Sequence, residues 1–213
     1  MEEYLDQLWN ISFDAIREVQ KEFNRNNRLV RTEADLQGLL LCTLYRNRIQ
    51  YPSVSFEVHS ELTWYEADEG RWFKRDISLF NPVNIENQGV NNRILHKGFR
   101  HRGPAYGIEL KFIRCNDTHQ TIQRKTWEDF ERLINYSHRF YSTNKSFGFP
   151  KKFLILIGCA PEQDYEMVKQ IFIGNLGRFE NKVRSLELPW VNHIQSIIQP
   201  VFISVKKAVL LWD

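Results

Sequence analysis

The stretch AYGIELKF contains two opposite charges, Glu109 and Lys111, with one residue between them. Ile108, Leu110 and Phe112 alternate with them, and this pattern predicts a β-strand with one apolar face. Because side chains alternate across a strand, both charges share the other face, roughly 6.6 Å apart at about 3.3 Å per residue. The strand therefore presents a carboxylate and a cation in the same direction.

A second carboxylate, Asp76, lies in the stretch RWFKRDISLF. Alternation places Phe73 and Ile77 on the core face of that strand and Asp76 on the opposite face. If the two strands are neighbours with their apolar faces on one core, Asp76 and Glu109 meet on the polar face, and Lys111 lies beside them. Two close carboxylates repel each other, and a divalent cation bound through oxygen ligands would compensate them.

Magnesium suits such a pair, because it keeps several waters and takes one or two carboxylates together with substrate phosphate oxygens. Lys111 would stand next to the ion as a compact cation. There it could orient or help deprotonate an attacking water and stabilise charge that develops at phosphorus. The three side chains thus point to metal-assisted chemistry on a phosphate ester.

The elements that would position these residues follow from the pattern of apolar residues. Helical spacing predicts helices over residues 2–24, 33–46, 126–140 and 163–173, with a less regular helical stretch to 186. The second helix starts at a pattern resembling a capping box, Thr32 to Asp35. Strands are predicted within 53–66 and 70–80 as a hairpin, at 105–113, at 151–159 as a central strand covered on both faces, and within 200–213 as a closing strand or pair. Residues 81–104 are predicted to form a long loop. The alternation of helices and strands predicts a single α/β domain over residues 1–213.

This arrangement resembles the PD-(D/E)XK nuclease superfamily, whose members share the restriction-endonuclease-like fold. Asp76 matches the first acidic position of that superfamily, and Glu109-Leu110-Lys111 matches its (D/E)-x-K tripeptide. Glu33 matches a glutamate found on the preceding helix of many members. The resemblance implies a central mixed β-sheet flanked by helices, with a core over about residues 32–159, an N-terminal helix, and helical and strand additions at the C-terminal end.

The resemblance also implies a function, that of a Mg²⁺-dependent endonuclease that hydrolyses phosphodiester bonds in DNA, with Mn²⁺ as a substitute ion. Asp76 and Glu109 would bind the metal, and the backbone carbonyl of Leu110 would be a third ligand. Lys111 would act on the water. Glu33 would support a second metal or the first ion's ligands.

Two features depart from the superfamily pattern. Arg75 stands where the proline that gives the superfamily its name would lie. The stretch EDFERLINY offers only a shifted version of the superfamily's Asp-x-x-(Arg/Lys)-Leu run, as Asp129, Arg132 and Leu133.

A second acidic-x-Lys triplet occurs at residues 180–182, in a polar stretch that is predicted to be helical. Because it lacks flanking strand hydrophobics, it serves as an internal control.

The most basic segment is RILHKGFRHRGP, with Arg93, Lys97, Arg100 and Arg102 around Phe99. Cations with an aromatic ring could grip the phosphates of a nucleic acid and stack on a base. The alternative is a solvated loop with no ligand. These four cations are the nucleic-acid contacts that the sequence predicts.

Each candidate residue also has an ordinary structural interpretation. Glu109 and Lys111 could form a salt-bridge ladder on a solvated sheet face, Asp76 could pair with a neighbouring cation, and Glu33 could simply favour the helix dipole. At the level of function, the alternatives are an inactive nucleic-acid- or protein-binding module of the same fold and an unrelated α/β module in which the triplet is coincidental.

Composition sets the remaining expectations. The chain has 213 residues, a net charge of +3 and 42% hydrophobic residues, which suits a folded domain and only weakly favours polyanionic partners. Three separated cysteines without a CxxC pair indicate thiols of a reducing compartment rather than a zinc site. The acidic start and the lack of an apolar run of about 18 residues predict a cytoplasmic protein without a membrane span. Cleavage of both strands of a duplex needs two active sites, which is compatible with a homodimer.

Overall fold

The fold is that of an α/β protein built on one mixed sheet. The computed structural model describes residues 2–26, 29–65, 72–84, 98–99, 105–143, 151–185, 198–203 and 208–210. The strands described there form a seven-stranded sheet in the order β3-β1-β2-β4-β5-β6-β7. The predicted α/β class with a mixed sheet flanked by helices is therefore confirmed, whereas the assignment of the whole chain to one domain stays a prediction.

The described elements follow one another along the chain as two helices, four strands, two helix–strand pairs and a final strand. The helices are α1 (Glu2–Arg25), α2 (Glu33–Gln50), α3 (His119–Thr143) and α4 (Tyr165–Ser185), with a short 3-10 turn at Pro82–Asn84. The strands are β1 (Glu57–Tyr65), β2 (Trp72–Phe80), β3 (Gly98–Phe99), β4 (Ala105–Ile113), β5 (Lys151–Cys159), β6 (Ile198–Ile203) and β7 (Ala208–Leu210).

The strand directions explain how the candidate residues approach one another. β1 and β2 form the predicted antiparallel hairpin, and β2 pairs with β4, also antiparallel. β4, β5 and β6 run parallel to one another, while β7 closes the sheet antiparallel to β6. The strand that carries Asp76 and the strand that carries Glu109 are therefore direct neighbours in the sheet.

The described residues form two hydrophobic cores, one on each face of the sheet. Ile108 and Leu110 of β4 belong to the core that contains α1 and α2, whereas Ile113 of the same strand belongs to the core that contains α3 and α4. In β5, Leu154 packs in the first core and Ile155 in the second. The alternation of side chains across a strand produces this division, and it confirms that β5 is a central strand covered on both faces.

The boundaries of some elements differ from the sequence prediction. α3 begins seven residues before the predicted start at 126, because Thr118 caps it by accepting a hydrogen bond from the Thr121 backbone N–H at 3.3 Å. The first turns of that helix are polar, so apolar periodicity did not reveal them. α4 continues without a break to Ser185. Within the predicted loop 81–104, residues 98–99 form a short strand parallel to β1.

No helix in the described part of the chain has the length and apolar character that a membrane span requires.

Gly158 on β5 provides a test of how tightly α2 packs on the sheet. A Cβ atom at this position would lie 2.8 Å from Phe112 Cδ2 and 2.9 Å from Leu36 Cδ2, and both side chains are buried. We expect Gly158→Ala to lower the free energy of unfolding by about 1–3 kcal/mol through overpacking. Urea unfolding measures this change.

Gly38 is the matched control, since a Cβ atom there would have no neighbour within 4 Å among the described residues. Because alanine favours a helix over glycine, we expect Gly38→Ala to raise the stability by up to about 1 kcal/mol. Equal effects of the two substitutions would contradict the close packing of α2 against β5.

Candidate active site

The two carboxylates of the predicted metal site lie where β2 and β4 part. The ladder between these strands ends with the pair of Ile77 and Ile108, and the next residues are Asp76 on β2 and Glu109 on β4. Asp76 Oδ2 accepts a hydrogen bond from the Leu110 backbone N–H at 2.7 Å. The Asp76 carboxylate is thereby held beside the peptide that joins Glu109 to Leu110.

The backbone of Leu110 is oriented toward β2. Its N–H points to β2, as the bond to Asp76 demonstrates. The N–H and C=O groups of one strand residue point to the same side, so the Leu110 carbonyl also faces β2. Asp76, Glu109 and this carbonyl are the three ligands that the sequence resemblance implies.

Glu109 forms a buried ion pair with Arg75. Its Oε1 accepts from Arg75 Nη1 at 2.7 Å, and both side chains are 1% exposed. Glu109 Oε2 is buried and has no hydrogen-bond partner among the described residues; Arg132 Nη1 lies 4.0 Å away from it. Burial raises the pKa of Glu109 above its ordinary value, against the opposing effect of the Arg75 guanidinium. A further cation near Oε2 would favour the ionised form.

Lys111 is held between two carboxylates on different helices. Its Nζ lies 3.5 Å from Asp129 Oδ1 on α3 and 3.7 Å from Glu33 Oε2 on α2. Burial works to lower the pKa of Lys111, but the two carboxylates raise it overall above its ordinary value. Lys111 is therefore a cation at neutral pH.

Asp129 is a buried acid that lacks ordinary hydrogen bonds. Its side chain is fully buried, and neither carboxylate oxygen has a hydrogen-bond partner within the described residues. Arg132 Nη1, one helical turn away, lies 3.6 Å from Oδ1 and is itself half-exposed. Burial raises the pKa of Asp129 well above its ordinary value. The ionised form of this side chain is therefore costly for the fold.

The substitution Asp129→Asn tests that cost. A raised pKa means that folding favours the protonated acid, so the stability that this group contributes is lost as the pH rises through the folded-state pKa. We expect the neutral amide to raise the free energy of unfolding by about 0.5–2 kcal/mol, and to do so more at about pH 8 than at about pH 5. Urea unfolding at both pH values measures the difference. Glu131→Gln, at a half-exposed carboxylate of the same helix, should change little. A large loss of stability in Asp129→Asn at high pH would contradict the description of Asp129.

α2 contributes two residues to this region. A complete capping box formed by Thr32 and Asp35 begins the helix, as predicted, and it fixes Glu33 in the first turn beside Lys111. Glu33 is 45% exposed at its side chain, so it lies at the rim of the site. One turn later, Gln37 Nε2 donates to the backbone carbonyl of Asp76 at 2.8 Å and ties the helix to β2.

The geometry separates the alternatives that the sequence left open. Glu109 is 0% exposed and Lys111 is 9% exposed, so the interpretation as a ladder on a solvated sheet face is wrong. α3 and the rest of the second core cover that face. The predicted nucleic-acid contacts Arg93, Lys97, Arg100 and Arg102 lie outside the described residues and stay predictions.

Sequence reasoning did not predict the burial of Arg75 or the contact between Asp129 and Lys111. For Asp129 a signal exists, because Ile122, Thr126, Asp129 and Leu133 follow one another at helical spacing, and all four are buried. An acid on the apolar stripe of a helix indicates a cation nearby. For Arg75 no comparable signal is present.

Among the residues described, no group of three or more His, Cys, Asp and Glu side chains is arranged to hold a metal ion. Magnesium does not require such a group, since it binds through one or two carboxylates and completes its shell with other oxygens. Asp76, Glu109 Oε2 and the Leu110 carbonyl fit this kind of site. Comparison of the chain with protein-family models, with curated proteins and with solved structures finds no match.

Proposed function

We propose that this protein is a metal-dependent nuclease with a restriction-endonuclease-like core, and that it hydrolyses phosphodiester bonds in DNA. The observation that carries the proposal is the position of Asp76. Its carboxylate accepts a hydrogen bond from the Leu110 amide, directly beside the buried Glu109 of β4, the strand that also carries Lys111. Residues that are 33 positions apart in the chain thus form one acidic site with a cation next to it.

The oxygen atoms of this site support Mg²⁺ as the ion. Glu109 Oε2 is a buried oxygen without a hydrogen bond in the described part of the chain, and burial without a partner is costly for a carboxylate. The Leu110 carbonyl faces β2, the strand that carries Asp76. A bound Mg²⁺ would lower the pKa of a water and neutralise negative charge on a phosphate. Mn²⁺ would substitute for it, since it favours the same oxygen ligands.

The role we assign to Lys111 is electrostatic. Its pKa is raised by Asp129 and Glu33, so its ammonium group keeps its proton at neutral pH. A protonated lysine donates hydrogen bonds to a water or a phosphate oxygen, and stabilises negative charge as it develops at phosphorus. Asp129 and Glu33 orient the ammonium group from two sides.

The position of Arg132 supports the proposal that the substrate carries phosphate. Its side chain is 53% exposed, yet its guanidinium lies within 4.0 Å of both Glu109 and Asp129. An arginine that is both solvent-accessible and adjacent to the acids is suited to bind a phosphate oxygen of a nucleic acid. We propose DNA as that nucleic acid, with Arg93, Lys97, Arg100 and Arg102 as further contacts to its backbone.

A substrate panel tests this function. Labelled duplex, single-stranded and branched DNA, with RNA alongside, are incubated with the protein in Mg²⁺, in Mn²⁺ and in EDTA. We expect cleavage of at least one DNA substrate in either metal and none in EDTA. Absence of cleavage on every substrate, together with no rise in melting temperature when Mg²⁺ is added, would overturn the proposal and favour a binding module of the same fold.

A further inference from the structure

Arg75 is a cation buried inside the candidate site. It precedes Asp76 on β2, its side chain is 1% exposed, and it is among the largest fully buried side chains described. Its Nη1 donates to Glu109 Oε1 at 2.7 Å. A buried ion pair at this distance is a permanent part of the fold, because separating it would leave a charge without compensation in the interior.

The charges that the described residues place around this pair are nearly balanced before any metal binds. The carboxylates of the site are Glu33, Asp76, Glu109 and Asp129. The cations of the site are Arg75, Lys111 and Arg132. With all four acids ionised, as they would be when a metal binds, four negative and three positive charges leave a net charge of −1 among the described residues. One divalent ion changes this to +1, which a single substrate phosphate neutralises, whereas two ions would change it to +3.

The positions of the carboxylate oxygens also indicate a single bound ion. Arg75 occupies Glu109 Oε1, so Oε2 is left for an ion. Glu33 and Asp129, the other two acids, already lie within 3.7 Å of Lys111 Nζ. Asp76 and Glu109 Oε2 can therefore hold one ion, and a second ion would need Glu109 Oε1, which Arg75 occupies.

We infer that Arg75 takes the place of a second divalent ion, so that the site binds a single ion through Asp76 and Glu109 Oε2. The inference rests on the proposed function, since it concerns the metal of that same site. Arg75 acts through Glu109 and is a positioning residue. Its guanidinium supplies a fixed positive charge to the buried acids and fixes which oxygen of Glu109 meets the ion.

The experiment is a titration of the full-length protein with Mn²⁺ alone, with free Mn²⁺ followed by electron paramagnetic resonance. It counts bound ions without reference to activity. We expect wild type to bind one ion and Arg75→Lys, which keeps the charge, to bind one ion as well. Arg75→Met removes the charge and frees Glu109 Oε1, and we expect this variant to bind two ions.

The possible results separate the inference from the function on which it rests. Two ions bound to wild type would overturn the inference and leave the nuclease proposal standing. One ion bound to a folded Arg75→Met protein would overturn the inference as well. No ion bound to wild type would overturn both. If Arg75→Met does not fold, the numbers of ions bound by wild type and by Arg75→Lys still test the inference, because it requires one bound ion in each protein.

Discussion

Glu109→Gln should abolish metal-dependent cleavage by the folded protein, and it should also lower the stability, because the buried Arg75 loses the charge of its ion-pair partner. The amide has the shape of the carboxylate, and its oxygen can still accept the bond from Arg75 that now measures 2.7 Å. It carries no charge to bind a divalent ion. A metal ion stabilises the charge of the transition state by several kcal/mol. Each 1.36 kcal/mol of activation free energy changes the rate by a factor of ten. We therefore expect the cleavage rate to fall by about 10³-fold or more.

The second acidic-x-Lys triplet of the chain provides the control for this prediction. Glu180 stands two residues before Lys182, as Glu109 stands two before Lys111, but it lies on helix α4. Glu180→Gln should keep the wild-type rate. The measurement is the initial cleavage rate at saturating Mg²⁺, with circular dichroism of each variant to establish folding. A folded Glu109→Gln protein that cleaves at the wild-type rate would exclude Glu109 as a metal ligand.

The substitution Lys111→Met tests the role of the ammonium charge independently of the metal ligands. Lys111 is not a ligand in our description, because its ammonium group is held by Asp129 and Glu33 at 3.5 and 3.7 Å. Methionine has similar length and no charge, so the metal should still bind. The stabilisation of charge at phosphorus is lost, and removing one such donor typically costs about 10²–10³ in rate. We expect a loss of that size.

Two readouts together test the role of Lys111. The first is the cleavage rate, and the second is Mn²⁺ binding to the same preparation. Loss of cleavage with binding retained is the expected pattern. If Mn²⁺ binding disappears with Lys111, the ammonium group organises the metal ligands instead, and the electrostatic role we assign to it is wrong.

Residues whose position depends on local alternation could be placed from the sequence. Glu109 and Lys111 lie among Ile108, Leu110 and Phe112, and the period of two in a strand assigns them to one face regardless of the rest of the fold. The limits of β4 and β5 could be predicted for the same reason, since both strands are marked by strong apolar patterns. The capping box of Thr32 is likewise a local signal.

Contacts between distant elements could not be placed in this way. That Arg75 turns to Glu109, and that Asp129 on α3 meets Lys111 on β4, depends on how the helices pack on the sheet. A period of two assigns Arg75 to the face of Ile77, whereas Glu109 belongs to the other, so alternation alone argues against their contact. The strands part at Asp76, and there the simple alternation no longer determines which side chains meet.

The buried charges of the site are costly for the fold, and this cost is expected of a functional site. Burial raises the pKa of both Glu109 and Asp129, so the ionised form of each costs more in the folded protein than in water. A structural salt bridge could be replaced by apolar residues without such a cost. Glu109 Oε2 is buried without a hydrogen bond among the residues described, and a bound metal ion would explain it. The burial of Asp129 is explained by its contact with Lys111.

The central claim is that Asp76 and Glu109 together bind the ion on which cleavage depends. The most direct measurement compares wild type with Asp76→Asn on labelled DNA over a range of Mg²⁺ concentrations, with EDTA as the zero point. Asparagine can still accept the Leu110 N–H bond, so the strands keep their arrangement. We predict that the wild-type rate rises to saturation with Mg²⁺ and vanishes in EDTA, and that the Asp76→Asn rate is at least about 10²-fold lower at every concentration. Cleavage by wild type in EDTA, or equal rates for the two proteins, would contradict the claim.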